Sequence, residues 1–526
     1  MNLQSFLNDL HFDTDQAKPL DWEVDWQDAP LAYKLYRHLP AVPLSPEVPL
    51  SLEGREVNGT PTLRDIGDLL WYVFGLTQFR QSVPDLAQAG LQEGSIQSFR
   101  RFVPSGGALY PSEMYVYLKM EDTACGVYHY DVAHHRLVLV REGDFDSYLA
   151  RALGYRCDVS ASFCTVFVST MFWKNFFKYH NFSYRLQGLD AGVLLGQLLE
   201  VAKRFGFETG VYFQFLDRAV NHLLGLVEEE ESVYAVIPLS MEPAMDWFHH
   251  MNDGEKDISS GELCRELPSV RHDHYVRSRN IREYPMLIKM NEASLLDSSR
   301  SFRQIGEEIS NACAGQAMPL PDVKRIAYDF STACRSRYSP DMDFILKKVS
   351  QTQLAVLLQE VAASFPYRND LDGERERHQP RVALYGCFYD VEHIPNGAYC
   401  YDSAAHALCQ IHPGDHRCWL QQGMSMHNVN LFQVPFCFHV VGDKGHLQTE
   451  LGYRGYRIQQ MECGMLVQRL LLTATALGMG GHPLLDYDAN LCDELYQLAP
   501  HGKTSLIQIP VGHHRPRSKL EGGLHA

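Results

Sequence analysis

Residues 99–111, FRRFVPSGGALYP, carry the densest set of groups that could hold a ligand. Pro104 fixes its φ, while Gly106 and Gly107 allow turn conformations that aim backbone N–H groups outward. Ser105 adds a hydroxyl, and Arg100 and Arg101 place positive charge just upstream. Such a turn suits a phosphate or the polar edge of a flavin ring. Taken alone, the same residues also describe an ordinary tight turn before a strand.

Other reactive residue types exclude more than they offer. The 24 histidines show no H-E-x-x-H or comparable ligand spacing, and His513-His514 are neighbours that point different ways on regular elements. The 13 cysteines are odd in number and contain no C-x-x-C pair, which argues against a zinc site and a disulfide framework. Buried thiols acting as small hydrophobes account for them, and no metal is expected. A formal charge of −17 would repel a nucleic-acid backbone, so no such partner is expected. No run of about 18 apolar residues predicts a membrane span, and the acidic N-terminus is no signal peptide. These features predict a cytoplasmic protein.

The elements that must position the turn occur twice. Gly126-Val-Tyr-His-Tyr-Asp131 returns as Gly397-Ala-Tyr-Cys-Tyr-Asp402. Tyr184, Arg185, Gly192 and Gly206 return as Tyr456, Arg457, Gly464 and Gly478, each pair 272 residues apart. Matches in one order at nearly one offset indicate duplication. Each copy reads as an amphipathic helix (Leu63–Leu76; Gln353–Ala363), strands such as MYVYL, FCTVFVST and VPFCFHVV, then a long apolar helix and a short last strand. Separate runs of helix and strand predict an α+β fold. Gly188, Gly192 and Gly196 recur every four residues along one face, a pattern for close backbone approach. The two long helices are therefore expected to meet at the centre of an intramolecular pseudo-dimer. The expected boundaries are an extended arm (1–60), a first domain (61–240), a linker or excursion (241–285) and a diverged second domain (286–526).

Pro104-Ser-Gly-Gly-Ala-Leu-Tyr-Pro111, Lys178-Tyr179 and the Tyr-Arg…Gly…Leu-Gly pattern of the long helix resemble one family. It is the SagB-type azoline dehydrogenases of thiazole/oxazole-modified peptide biosynthesis, within the FMN nitroreductase superfamily. The arm DWQDAPLAYKLYRHLPAVPLS (25–45) is similar too, and the likeness covers the first half better than the second. The resemblance implies two tandem nitroreductase-like domains with FMN at their interface. One copy would supply Pro104, Ser105, Gly106 and Gly107. The other would supply Arg300-Ser301-Phe-Arg303, the turn Gly478-Met-Gly480-Gly481, and Arg515 with Arg517 for the phosphate. Arginine's fork suits phosphate oxygens. The first copy offers only Gly54-Arg55-Glu56-Val57 as a counterpart, and the second reads HQPRVALYG in place of the glycine turn, so a single FMN per chain is expected.

Lys178-Tyr179 resembles the family's catalytic pair. Aromatising an azoline removes a hydride, which FMN can accept, and a proton, which needs a base. A lysine serves only if burial lowers its pKa from ~10.4 by about three units; Lys174 is a nearby competitor. The implied function is dehydrogenation of a peptide or carrier-bound azoline, with a cyclodehydratase complex as an implied partner. The alternatives are an NAD(P)H-dependent nitro- or quinone reductase and a non-catalytic scaffold subunit.

Overall fold

The computed structural model describes residues 2–17, 19, 21–82, 96–242, 247–248, 257–305, 317–364, 366–373, 380–516 and 520–523. Its two halves each build an antiparallel seven-stranded sheet in the same order. The first runs Ala41–Pro43, Arg136–Glu142, Gly126–Asp131, Ser112–Leu118, Cys164–Met171, Glu231–Ser240, Glu208–Thr209. The second runs Ala317–Pro319, Ala407–Pro413, Gly397–Asp402, Ala383–Phe388, Phe436–Asp443, Lys503–Gly512, Gly480–Gly481. Central strands such as Ser112–Leu118 are buried at every residue, covered on both faces.

Local chemistry repeats as faithfully as topology. The helix Leu63–Phe74 starts at a capping box in which Thr62 and Asp65 satisfy each other's backbone N–H groups. Its counterpart Gln351–Ala362 starts with Ser350 and Gln353 in the same arrangement. Both helices fall within two residues of the spans read from apolar spacing.

The long helices Ser183–Arg204 and Arg454–Ala476 pack directly on each other, as the glycine stripe requires. A Cβ on Gly192 would overlap the Met461 carbonyl, and one on Gly464 would overlap the Leu189 carbonyl. Tyr184 and Tyr456, equivalent in the two copies, stack on one another with ring centroids 5.8 Å apart. Around this seam lie buried ion pairs between halves: Asp217 accepts from Arg454 and Arg457 at 2.7–2.9 Å. Arg156 reaches Asp370 at 3.2 Å.

The arm is not extended throughout. Leu3, Phe6, Leu7 and Leu10 sit at helical spacing behind the N-cap Asn2, so Leu3–Phe12 is a helix. It docks across the seam rather than on the first copy alone: His11 meets the Thr504 hydroxyl at 3.0 Å, and Arg185 donates to the Leu10 and Leu506 carbonyls. In the opposite direction Leu520–Gly523 pairs with the first-copy hairpin Gln78–Ser82/Ile96–Arg100.

Packing at the glycines is tight enough to be measured. Gly192→Ala should lower stability by about 1–3 kcal/mol through overpacking, read as a shifted denaturant midpoint at unchanged slope. Gly261→Ala, in a helix with open space around it, should be neutral or slightly stabilising. Equal effects at the two sites would show that the seam is not tightly packed at Gly192.

Candidate functional site

The turn read from the sequence lies on the seam. A cleft of about 350 Å³ is lined by Pro104–Ala108 and Tyr110 from the first copy, the long-helix residues Leu186 and Asp190, and Arg337–Ser339 with His482-Pro483 from the second. The turn itself is strained: Gly107 has φ +65°, and Ala108 and Tyr110 also have positive φ. Asp190 fixes it, accepting from the Ser105 hydroxyl at 2.6 Å and the Gly106 N–H at 3.2 Å. Ser105 in turn accepts from the Tyr110 N–H at 2.9 Å.

Lys178 and Tyr179, at the end of the helix Trp173–Tyr179, come to the same turn. A Cβ on Gly107 would lie 2.6 Å from Tyr179 Oη and 2.9 Å from Lys178 Nζ, so both side chains close on a residue whose positive φ already favours glycine. Lys178 Nζ also faces the Trp26 ring, 5.4 Å from its centroid. Burial raises the Tyr179 hydroxyl, and the carboxylates of Asp190 and Asp486 add to the shift, so it stays a protonated donor. Lys174 points elsewhere: buried, it pairs with Glu113 and donates to the Tyr110 carbonyl.

The basic residues separate sharply. Arg337 is buried in the cleft wall, where its partners are the Phe102 carbonyl at 3.0 Å and the Ser339 hydroxyl. Burial, and then the charge of Arg100, lower its pKa to about 10. Arg101 is structural, stacked between the Phe74 and Tyr110 rings. Arg300, Ser301 and Arg303 do not reach the cleft. Arg300 is exposed beside Asp257, and the Arg303 backbone pairs with Gln214 of the first copy. Gly478 is a left-handed helix-end residue, while Gly480 and Gly481 pair in the sheet, packed on Pro340 and Leu471. The cleft instead meets the two residues that follow them. Arg515 is exposed and outside the cleft; Arg517 lies outside the described residues.

Sequence reasoning therefore missed Arg337 and Asp190. The run Arg335-Ser336-Arg337 was a second signal for basic residues ahead of the helix Gln351–Ala362. Asp190 was an acid midway along an otherwise apolar helix face. Among the described residues no cluster of His, Cys, Asp or Glu is set to hold a metal, and no helix is long and apolar enough to cross a membrane.

The pseudo-symmetric position is built differently. Glu462 occupies the place of Asp190, 272 residues on, and Arg381 donates to both its oxygens at 2.9 Å. Arg381 also binds Asp372 at 2.6 Å, and the Tyr367 hydroxyl binds Glu462 at 2.6 Å. The void beside them is about 10 Å³, and a separate cleft of about 300 Å³ shares Ser364, Tyr367 and Met465 with it.

Residues 80–239 and 388–513, more than half the chain, match the Nitroreductase family. The chain belongs to the nitroreductase family. A nitroreductase from Anabaena variabilis of known crystal structure aligns over 98% of this chain and 99% of its own, with TM-score 0.71 and 20% identity, and shares the fold. The expected α+β pair of tandem nitroreductase-like domains is thus the observed architecture. The trifolitoxin-processing protein TfxB of Rhizobium leguminosarum bv. trifolii is 31% identical over 152 residues, 27% of this nitroreductase-family chain. The match spans 40% of that relative's length.

Burial lifts the Asp190 carboxyl to about 7, against the opposing pull of the Ser105 and Gly106 hydrogen bonds. An unfolded aspartate titrates near ~3.9. Between those values the folded chain holds a proton that the unfolded chain has lost, so stability falls as pH rises across that window. Asp190→Asn should remove that slope. Its stability relative to wild type should then rise by a few kcal/mol between about pH 4 and pH 8. Urea midpoints at both pH values check this, and a difference that stays constant would contradict it.

Proposed function

We propose that this chain is an FMN-dependent oxidoreductase that dehydrogenates a thiazoline or oxazoline to the aromatic azole, in a peptide or carrier-bound intermediate. The observation that carries the reading is the convergence of Lys178 Nζ and Tyr179 Oη on Gly107, at a cleft walled by both copies. The residues present fit the cofactor. Arg337, buried with a carbonyl and a hydroxyl as its partners and Arg100 nearby, offers positive charge for a phosphate. The glycine turn lets a flat ring approach the backbone. A bound flavin supplies the hydride acceptor.

The chain's own residues do the rest. Lys178 Nζ takes the proton from the azoline ring carbon. Tyr179, held protonated, donates a hydrogen bond that orients the ring. Asp190 locks the Ser105–Gly106 turn, so that the backbone at the cleft does not reorganise during the reaction. Similarity to a trifolitoxin-processing protein supports a processing role. A cyclodehydratase complex is the partner class this reading calls for, acting upstream to form the azoline. The rival nitro- or quinone reductase has no use for the Lys178–Tyr179 pair, and a non-catalytic scaffold has none for an open cleft.

With Arg381 bound to Glu462 where the first copy has the open Asp190, this reading calls for about one FMN per chain. Arg337→Ala should weaken FMN binding by one to two decades, about 1.5–3 kcal/mol, whereas Arg300→Ala should leave it unchanged. Flavin titration of the apoprotein measures both, and the reverse ranking would move the phosphate to the other basic cluster. Lys178→Ala should keep its flavin and fold but lose azoline turnover by roughly two to four decades. Wild-type turnover in that variant would end the proton-transfer role.

A further inference from the structure

A second and larger cleft, about 650 Å³, lies on the first copy, bounded by arm residues 30–34, segment 271–288 and the helix start Trp173-Lys174. Its volume is in the range of ligand sites. The walls are apolar and aromatic, with Trp173 and Tyr284 stacked face to face, their centroids 6.5 Å apart. Two buried ion pairs form the floor. Lys34 meets Glu231 at 2.7 Å, backed by the Tyr115 and Ser169 hydroxyls, and Lys174 meets Glu113. Above them the buried Nε2 of His274 has no hydrogen-bond partner.

The fold does not need this floor. Strand register places Ala383, Val441 and Lys503 of the second copy where the first has Glu113, Ser169 and Glu231, and that copy builds the same sheet. Burying two ion pairs costs desolvation that apolar packing avoids. Their retention in one copy, under an open cleft, marks the cleft rather than the sheet as the reason.

The helix Trp173–Tyr179 runs from the cleft wall to the candidate reaction site. Lys174 at its wall and Lys178 at Gly107 are one helical turn apart, about 6 Å, or about two residues of extended chain. Trp26 lies half-exposed against Phe177 and faces Lys178. Asp28 staples this part of the arm to the cleft lip by accepting from the Arg279 and Asn280 N–H groups. Along that lip Tyr275, Val276 and Ile281 are exposed, a grouping of apolar side chains typical of interaction surfaces. Glu229, Glu230 and Glu283 disfavour a phosphate-bearing ligand. The lip arginines have partners of their own: Arg271 pairs with Glu230, Arg277 bonds the Gln27 carbonyl and Arg282 covers Trp22.

We propose that this cleft binds the peptide segment on one side of the reacting ring, in extended conformation, from about the second residue outward. This rests on the azoline reading given above. The test compares two substrates on the flavin-loaded protein: a thiazoline within a peptide carrying six residues on each side, and the same ring capped at both ends. Wild type should prefer the peptide, and truncating one flank only should remove the preference. Ile281→Glu and Tyr275→Ala should lower kcat/KM for the peptide about tenfold or more, leaving the capped ring untouched. Equal kcat/KM for both wild-type substrates, or equal losses on both in the variants, overturns the proposal. Fluorescence anisotropy of the labelled peptide supplies a readout independent of turnover. If wild type oxidises neither substrate, the azoline reading fails. Weaker anisotropy binding in Ile281→Glu then still supports the cleft, and unchanged binding overturns it.

Discussion

Backbone-to-backbone contact between the two long helices sets the geometry of everything else. At Gly192 and Gly464 each helix lies against the other's carbonyls, closer than any side chain permits. That separation brings Leu186 and Asp190 within one cleft alongside Arg337 and His482, which lie some 150 to 300 residues away in sequence. It also brings Arg454 and Arg457 onto Asp217, an interaction that would leave an uncompensated buried charge if the helices moved apart. The seam therefore behaves as a shared core, not as a surface between two finished domains.

Duplication gave the same position two fates. An acid faces the seam in both copies, Asp190 in one and Glu462 in the other. Glu462 is neutralised by the guanidinium of Arg381, which also pairs with Asp372. Asp190 has a hydroxyl and an amide N–H as partners and opens onto a cleft. A buried carboxyl with a cation stabilises packing, whereas one held by neutral donors keeps a titratable proton near neutral pH. Two positions of common origin thus differ in whether the acid is paired with a cation or with neutral donors.

Much of this was legible in the sequence because it depended on local rules. The constant 272-residue offset gave the duplication, apolar spacing gave the helices, and glycine every fourth residue gave the seam. Pro104–Gly107 stood out in the sequence because its turn chemistry is written in adjacent residues, and the structure brings Lys178-Tyr179 to the same turn. Arg300-Ser-Phe-Arg303 has suitable composition and spacing for a phosphate, yet it lies outside the cleft because its location follows from contacts with Gln214 that no local pattern encodes. Asp190 stayed hidden as one acid in an apolar helix. The larger cleft was illegible for the same reason: its walls come from the arm and from 271–288, where periodicity is lost and only the tertiary fold sets the neighbours.

Joining both halves in one chain has a consequence for how the cleft responds to dilution. A site shared by two separate subunits empties as they part at low concentration, and its two walls must evolve as copies of one sequence. Here the tether keeps the second wall at a fixed, high effective concentration, so cleft assembly is independent of how much protein is present. Each wall is also free to change without altering its twin. The helix Leu3–Phe12 and the strand Leu520–Gly523, each crossing to the opposite half, act as clasps at the two ends of that tether.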